Sequence, residues 1–558
     1  MPENILVCAA WPYANGSIHL GHVAGCYLPA DIFARYHRIK GDNVLMVSGS
    51  DAHGTPVTIS AETKGIKPED IVSEYQDEFL SDWEKLGISF DLFTSTHTEN
   101  HTKIAQKIFI SLLDDGYIYK DIMSQPFCET HERFLADRYV EGICPHCNFN
   151  GARGDQCDGC GNTLDPKDLI DIKHRDCEAR PIFRDTEHFF LKLTAFESDL
   201  LNWVNSQTHW KPNVKNFTTG FLEGGLKDRA ITRDISWGVP VPLDGYKSKR
   251  IYVWFEAVIG YLSASMEWAS NTDDPDSWNK FWKDSSKSYY FMGKDNIPFH
   301  SVIWPAMIMG YKNINLPFDI PANEYVNMES QKISTSRNWV INLKDAIEKY
   351  DPDSLRFTLS AIMPETSDSN FTWSEFVRRN NDELVATFGN LVNRVLSMIS
   401  RNYDGQIPSP TNLGSSEQNL FENAHITMEK VSVSIESCKF REGLGHAMSL
   451  AQLTNRYLDD KAPWAEVKID KESAGTTLYT AINIINCLKV LFHPYLPFST
   501  SKLHNMLGNT SQKEQIKWEW NSDDLQPGTR LGSVERLFTK LDDNVVDEEE
   551  TILGKRSS

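Results

Sequence analysis

An unbroken apolar run at Ile5 to Ala10, ILVCAA, stands before a breaker, PYANGS, and then a stretch whose apolar residues recur at helical spacing. A strand apolar on every side chain is buried on both faces, which only a parallel sheet between helices allows. Between His19 and Ile39 the residues Leu20, Val23, Ala24, Tyr27, Ala30, Phe33 and Ala34 describe one helix face. Gly41 supplies the helix stop, and NVLMVSG is a second buried strand. Strand, helix and strand together predict a βαβ unit, the opening of a doubly wound, nucleotide-binding α/β sheet.

With 558 residues the chain exceeds one core, so several domains are expected. Helical patterns return between Asp70 and Gly116, and the rhythm then breaks in a stretch rich in Cys, Gly and Asp, read as an insertion over residues 121–224. Sheet-like runs reappear at IYVWFEAV, SYYFMGKDN and NEYVNM. Beyond Phe371 the chain reads as helical, with periodic segments near Asp382 to Ser400, Glu417 to Ser437 and Thr476 to Phe492, as in a helix bundle. The acidic stretch LDDNVVDEEE opens a tail, residues 541–558, read as solvated and disordered.

The net charge of −21 argues against a non-specific coat on nucleic acid, although a local basic surface remains compatible with it. No run approaches the roughly 20 apolar residues needed to cross a bilayer. The amino terminus lacks the basic flank of a secretory signal, so a cytoplasmic protein is expected.

Six of the ten cysteines fall between Cys128 and Cys177. Cys144, Cys147, Cys157 and Cys160 form two CxxC pairs nine residues apart, the spacing of a closed, tetrahedral structural Zn²⁺ site. Cys128 with His131, and His174 with Cys177, flank them at the same internal spacing. This outer set predicts either a second Zn²⁺ or a degenerate knuckle that packs without metal.

The turn His19-Leu20-Gly21-His22 has three readings on its own: a pair of capping polar residues, a metal site without a carboxylate partner, or a phosphate site. Its position after the first buried strand favours the last. Asn15, Gly16 and Ser17 free the backbone to approach phosphate at a helix amino terminus, and imidazoles can donate to a phosphorane-like transition state.

The ordered set ANGSIHLGH, SDAHGTP, GKDNIPFHSVIWPA and KISTSR closely resembles the class I methionyl-tRNA synthetases, over about Ile5 to Lys468. The resemblance implies an α/β fold: a Rossmann-type catalytic domain (1–120 and 225–325) split by a zinc-binding connective insertion (121–224). It further implies a stem-contact region (326–375) and an all-α anticodon-binding bundle (376–540). The implied reaction activates L-methionine with ATP and Mg²⁺ to methionyl-adenylate and transfers it to tRNA(Met), in initiation and elongation alike. His19, His22, Lys332 and Asp51 would be catalytic. ATP would lie against Asn15, Gly16, His19, Gly21, His22, Gly293, Asp295, Lys332, Ser334 and Thr335. KISTS departs from the commonest loop, KMSKS, because Thr335 replaces the second lysine; Lys332 is kept and Arg337 follows, which supplies one cation and leaves the second open.

By the same resemblance, methionine would be lined by Ala10, Trp11, Tyr13, Asp51, Trp254, Tyr261, His300 and Trp304. Aromatic walls suit a polarizable thioether, and Asp51 suits its ammonium group, while ordinary core packing is the plain alternative for each aromatic. Trp11 and Val258 stand where some members carry Leu and Pro. Asn390, Arg394 and Trp464 resemble anticodon-reading residues; the alternative is a capped helix with a buried Trp. With no longer carboxyl extension, a monomer is expected. A small-molecule nucleotidyltransferase and a catalytically idle RNA-binding protein remain as other readings.

Overall fold

The computed structural model describes residues 2–154, 157, 159–160, 164–283, 285–509 and 516–555. Five parallel strands form the central sheet in the order Ala322–Asn323, Lys287–Gly293, Asn4–Ala9, Asn43–Ser50 and Leu92–Ser95. The first strand shows why its run is apolar throughout. Ile5, Val7 and Ala9 enter one core with the helix that follows, and Leu6 and Cys8 enter a second core on the opposite face.

His19 caps the first helix, its Nδ1 accepting from the His22 amide at 3.3 Å. The helix opens with one regular turn, Leu20–His22, widens into a π turn over Val23–Tyr27, and continues as Leu28–Lys40 to a left-handed Gly41. The π turn rolls Cys26 and Tyr27 towards the carboxyl ends of the strands: Cys26 Sγ donates to the Phe291 carbonyl and Tyr27 Oη to that of Ala10.

Between sheet halves, Ile118–Cys128 and Ile182–Leu191 form a long antiparallel hairpin. It carries a three-stranded sheet of Asn150–Arg153, Val140–Ile143 and Ile170–His174, the cysteine-rich tip. Helices Asn390–Asn402, Ser415–Glu436, Phe440–Lys461, Lys471–Phe492 and Pro497–Met506 make the carboxyl half. That half shares a core with the sheet rather than hanging from a linker. A fully buried pair seals the junction: Arg356 Nη2 meets Asp31 Oδ2 at 2.7 Å, and the same guanidinium donates to the Pro494 and Tyr495 carbonyls. Removing one partner of such a pair strands a buried charge.

Two expectations are corrected. The run IYVWFEAV is strand only at Arg250–Ile251 and turns helical at Val253–Glu256, because a short apolar run fits a buried helix as well as a strand. The acidic tail is ordered in its described part, with a helix over Asn544–Ile552. Glu549 accepts from Lys349 Nζ and Tyr350 Oη, both at 2.7 Å, Val545 and Val546 pack on the main core, and the Gly554 amide donates to the Asn338 carbonyl at 3.0 Å. Charge counting hid this helix, since its apolar pair and one glutamate dock it while the other acids face water. Residues 556–558 of the tail lie outside the described residues.

No described helix is long and apolar enough to cross a membrane.

Candidate active site and metal centres

The carboxyl ends of the strands Asn4–Ala9, Asn43–Ser50 and Lys287–Gly293 open onto a cleft of about 680 Å³. Ligands gather there in such sheets. Its walls bring together Ala10, Trp11, Tyr13, Asn15, Gly16, His19, Gly21, His22, Asp51, Trp254, Tyr261, Gly293, Asp295, His300, Lys332 and Thr335, from segments spread across more than half the chain.

The two histidines stack, ring centroids 3.6 Å apart, and each Nδ1 faces the other residue's amide. That exchange fixes Nδ1 as the acceptor on both rings and leaves Nε2–H as the donor. Removal from bulk water, and for His19 the neighbouring His22 ring as well, pushes both imidazoles below their ordinary range, although His22 stays open to the cleft. Gly21 between them matters by close approach: a Cβ there would lie 2.9 Å from Ile333 Cδ1 and 3.0 Å from the His19 ring.

Ile333 belongs to the facing wall. Val326–Met328 and Gln331–Lys332 form a hairpin whose turn, Glu329 and Ser330, is left-handed at both positions. The loop returns through Ser334, whose backbone pairs with Trp339. Lys332 and Thr335 are exposed, and Lys332 Nζ lies 5.9 Å from the Tyr325 ring centre. Arg337 folds back so that Nη2 donates to the Lys332 carbonyl at 3.2 Å. In this arrangement it braces the loop, and it is not among the residues that line the cleft.

The amino-acid end of the cleft is aromatic. Trp11 lies against Gly49 and Gly260, where any Cβ would come within 3 Å of the indole, and its Nε1 has no hydrogen-bond partner among the described residues. Trp254 Nε1 donates to Tyr13 Oη at 3.4 Å. His300 Nδ1 faces the Asn296 carbonyl at 2.9 Å and its Nε2 faces Tyr261 Oη at 2.8 Å. The carbonyl can only accept, so Nδ1 carries the proton and Tyr261 donates to Nε2. Burial holds the ring neutral, lowered to about 4, so neither nitrogen is left to meet a ligand's sulfur.

Two expected residues lie elsewhere. Trp304 is buried behind the cleft, its Nε1 donating to Tyr290 Oη at 3.1 Å, because the helix it opens turns that side chain into the second core. Ser334 is absent from the wall, its backbone spent on Trp339. Sequence reasoning passed over Phe299, Glu324 and Tyr325, which complete the wall beside GKDN. The motif's neighbours NEYVNM, read only as a strand, were the available signal.

The connective insertion forms two quartets of ligand atoms, each set lying within 4.8 Å of one another. In the first, Cys144 and Cys160 sulfurs are 3.8 Å apart and those of Cys147 and Cys157 are 3.6 Å apart. In the second, Cys128 Sγ is 3.3 Å from His131 Nδ1 and 3.7 Å from Cys177 Sγ, while His174 Nδ1 is 3.0 Å from Cys177 Sγ. His174 Nε2 is buried without a hydrogen-bond partner among the described residues, with Asp176 Oδ2 3.6 Å away. Both sets offer four convergent S or N donors, and the second adds the outer carboxylate typical of a ligating imidazole. Both fit Zn²⁺.

In the bundle, Arg394 lies over the Trp464 ring at 4.6 Å and pairs with Asp459 at 3.0 Å. Trp464 follows the left-handed Ala462 and the helix-opening Pro463 and is 42% exposed, which removes the buried-Trp alternative. Asn390 is exposed one turn before Arg394.

The split parallel sheet, the HLGH turn and the facing KISTS loop define a class I aminoacyl-tRNA synthetase. The family described as class I tRNA synthetases (M) matches residues 5–396, and the anticodon binding domain of methionyl tRNA ligase matches residues 407–557. The chain is 54% identical over 554 residues to the methionine–tRNA ligase of Dehalococcoides mccartyi, spanning 99% of this chain and 100% of the relative. It is 49% identical over 575 residues to that of Thermomicrobium roseum, with 98% of each chain covered. A solved structure of Mycobacterium tuberculosis methionyl-tRNA synthetase in complex with methionyl-adenylate matches at TM-score 0.79 and 25% identity, over 96% of this chain and 99% of that one. The chain therefore belongs to the methionine–tRNA ligase family.

Proposed function

We propose that this chain activates L-methionine with ATP, releasing pyrophosphate and forming methionyl-adenylate, and then esterifies tRNA(Met) for initiation and elongation. The observation that carries this reading is one cleft bearing an aromatic slot with a buried carboxylate at one end and an imidazole pair facing an exposed lysine at the other. The ammonium of methionine meets Asp51, and its thioether lies among Trp11, Tyr13, Trp254 and Tyr261. ATP, carried in with Mg²⁺, lies along Asn15, Gly16, Gly21, Gly293 and Asp295, with adenine against the Gly21 backbone. His19 and His22 donate through Nε2 to the α-phosphate as the carboxylate attacks, and Lys332 offsets the charge that builds on the departing pyrophosphate. No side chain has to give up a proton in this step.

Cys144, Cys147, Cys157 and Cys160, and separately Cys128, His131, His174 and Cys177, would each hold a Zn²⁺ that would close the connective tip as a structural ion. Asn390, Arg394 and Trp464 read the anticodon, with the exposed indole stacking on an unpaired base. We read the chain as a cytoplasmic monomer with the domain division proposed from the sequence. Methionine-dependent ATP–pyrophosphate exchange followed by charging of tRNA(Met) is the expected result; exchange driven by another amino acid would overturn the specificity. Metal analysis should return two Zn²⁺ per chain, and a value of one after exhaustive exchange would remove the mixed Cys/His site.

A further inference from the structure

Behind the ammonium end of the slot lies a charged cluster that the reaction above does not use. Glu256 is fully buried, two residues past the wall residue Trp254. Its Oε1 meets His53 Nδ1 at 3.0 Å and its Oε2 meets His101 Nε2 at 2.5 Å. His101 Nδ1 is paired with Ser263 Oγ at 2.9 Å, and His53 Nε2 with His97 Nδ1 at 3.2 Å. His53 stands two residues after Asp51 in the turn that leaves the second sheet strand, so Glu256 grips that turn directly. The same turn is held at Ala52 from two further sides. Its amide donates to Thr96 Oγ1 at 2.9 Å and its carbonyl accepts from Trp237 Nε1 at 2.6 Å.

Asp51 itself is 5% exposed, and among the described residues its carboxylate receives one hydrogen bond, from the His53 amide at 3.4 Å. A buried carboxylate with so little support is costly unless a cation arrives. Glu256 increases that cost. Burial and the charge on Glu256 push the Asp51 carboxyl well above its usual range, whereas the two histidines overcome burial at Glu256 and hold it at about 2. A merely structural carboxylate beside Asp51 would work against the site, and a neutral amide could make both imidazole contacts, since it can accept from one ring and donate to the other.

We propose that Glu256 is a positioning residue for the substrate ammonium: through His53 it sets the turn that carries Asp51, and its charge adds a second negative centre behind that carboxylate. The proposal rests on the reading of this end of the cleft as the methionine subsite. It places the specificity for an α-amino group in two carboxylates, of which only Asp51 touches the ligand.

The test compares L-methioninol, which has the ammonium and thioether but no carboxylate, with 4-(methylthio)butan-1-ol, which lacks only the ammonium. Binding is read by quenching of tryptophan fluorescence in the full chain, with melting temperature as the folding control. Glu256→Gln should weaken methioninol about fivefold or more while leaving the des-amino alcohol within about twofold, because only a charged ligand feels the lost charge. Glu256→Asp, which keeps the charge, should restore methioninol binding. Equal weakening of both ligands, or of neither, would overturn the proposal. Should Glu256→Gln not yield folded protein, His53→Ala tests the positional link alone: it removes the contact from Glu256 to the Asp51 turn, and methioninol should again weaken more than the des-amino alcohol. Failure of the unsubstituted chain to bind methioninol would refute the methionine reading itself and is distinguishable from these outcomes.

Discussion

The two walls of the nucleotide end are built on opposite plans. The HLGH wall opens a long helix whose next residues are buried, and its two rings are tied to each other's backbone. The KISTS wall is a short hairpin with an exposed Lys332 and Thr335, joined to the first wall through Ile333 over Gly21 and through the Leu20 amide, which donates to the Ile341 carbonyl at 3.1 Å. The helical wall supplies neutral donors that need no rearrangement, and the exposed loop wall supplies the cation. Charge that must meet an incoming polyphosphate is kept hydrated on a loop until it is used, since burying an unpaired lysine would be costly.

The strongest way to break this division is Lys332→Ala. Loss of a charged group aimed at developing charge should cut the rate of adenylate formation by about 100-fold or more, with methionine affinity little changed. Pre-steady-state adenylate formation and equilibrium methionine binding check the two halves, and a loss mainly in affinity would contradict the role. Next in size is Gly21→Ala. Its Cβ displaces Ile333, so the rate should fall about tenfold, and Ile333→Ala in the same chain should recover most of the loss, because contacting sites are not additive. Additive losses in that double-mutant cycle would mean the walls are not coupled there.

Thr335→Lys sharpens the comparison from the other side. Arg337 is turned to the loop backbone, so a lysine at the vacant place should raise the adenylation rate by a few-fold. No gain would indicate that one cation suffices. The smallest effect is expected from pH. Both imidazoles are pushed below their ordinary range, so as bases they stay neutral above their lowered values. The rate should then show no histidine titration between about pH 6 and 8, where an unperturbed imidazole would change charge. A step centred near about 6.5 that vanishes in His19→Asn would contradict this.

Much of the fold was legible because a few patterns admit one arrangement. A strand apolar on every residue requires helices on both faces, and paired CxxC spacings require a common ion. The cleft was legible where motif and geometry coincide, as at His19, Asp51 and Lys332. It was not legible where direction decides. Trp304 sits among pocket motifs, yet a π turn over Phe299–Ile303 precedes it and its ring points into the core. Arg337 could be counted as a cation from its position, but only coordinates show its guanidinium on the Lys332 carbonyl. Glu256 lies inside a run that looked like a strand, and its partners come from residues 155 and 203 positions away. Periodicity carries no record of contacts at that range.

The contact between Gly554 and Asn338 has a consequence for biosynthesis. Asn338 lies one residue beyond Arg337, at the end of the loop that bears Lys332, and the tail helix docks on Lys349 and Tyr350 just beyond it. Chains are made from the amino end, and domains fold as they emerge. The sheet, both imidazoles and the aromatic slot can be in place while the rest is still being translated. The brace on the loop cannot form until residue 554 has cleared the ribosome. The amino-acid subsite is thus synthesised before the segment that gives its phosphate loop a last support.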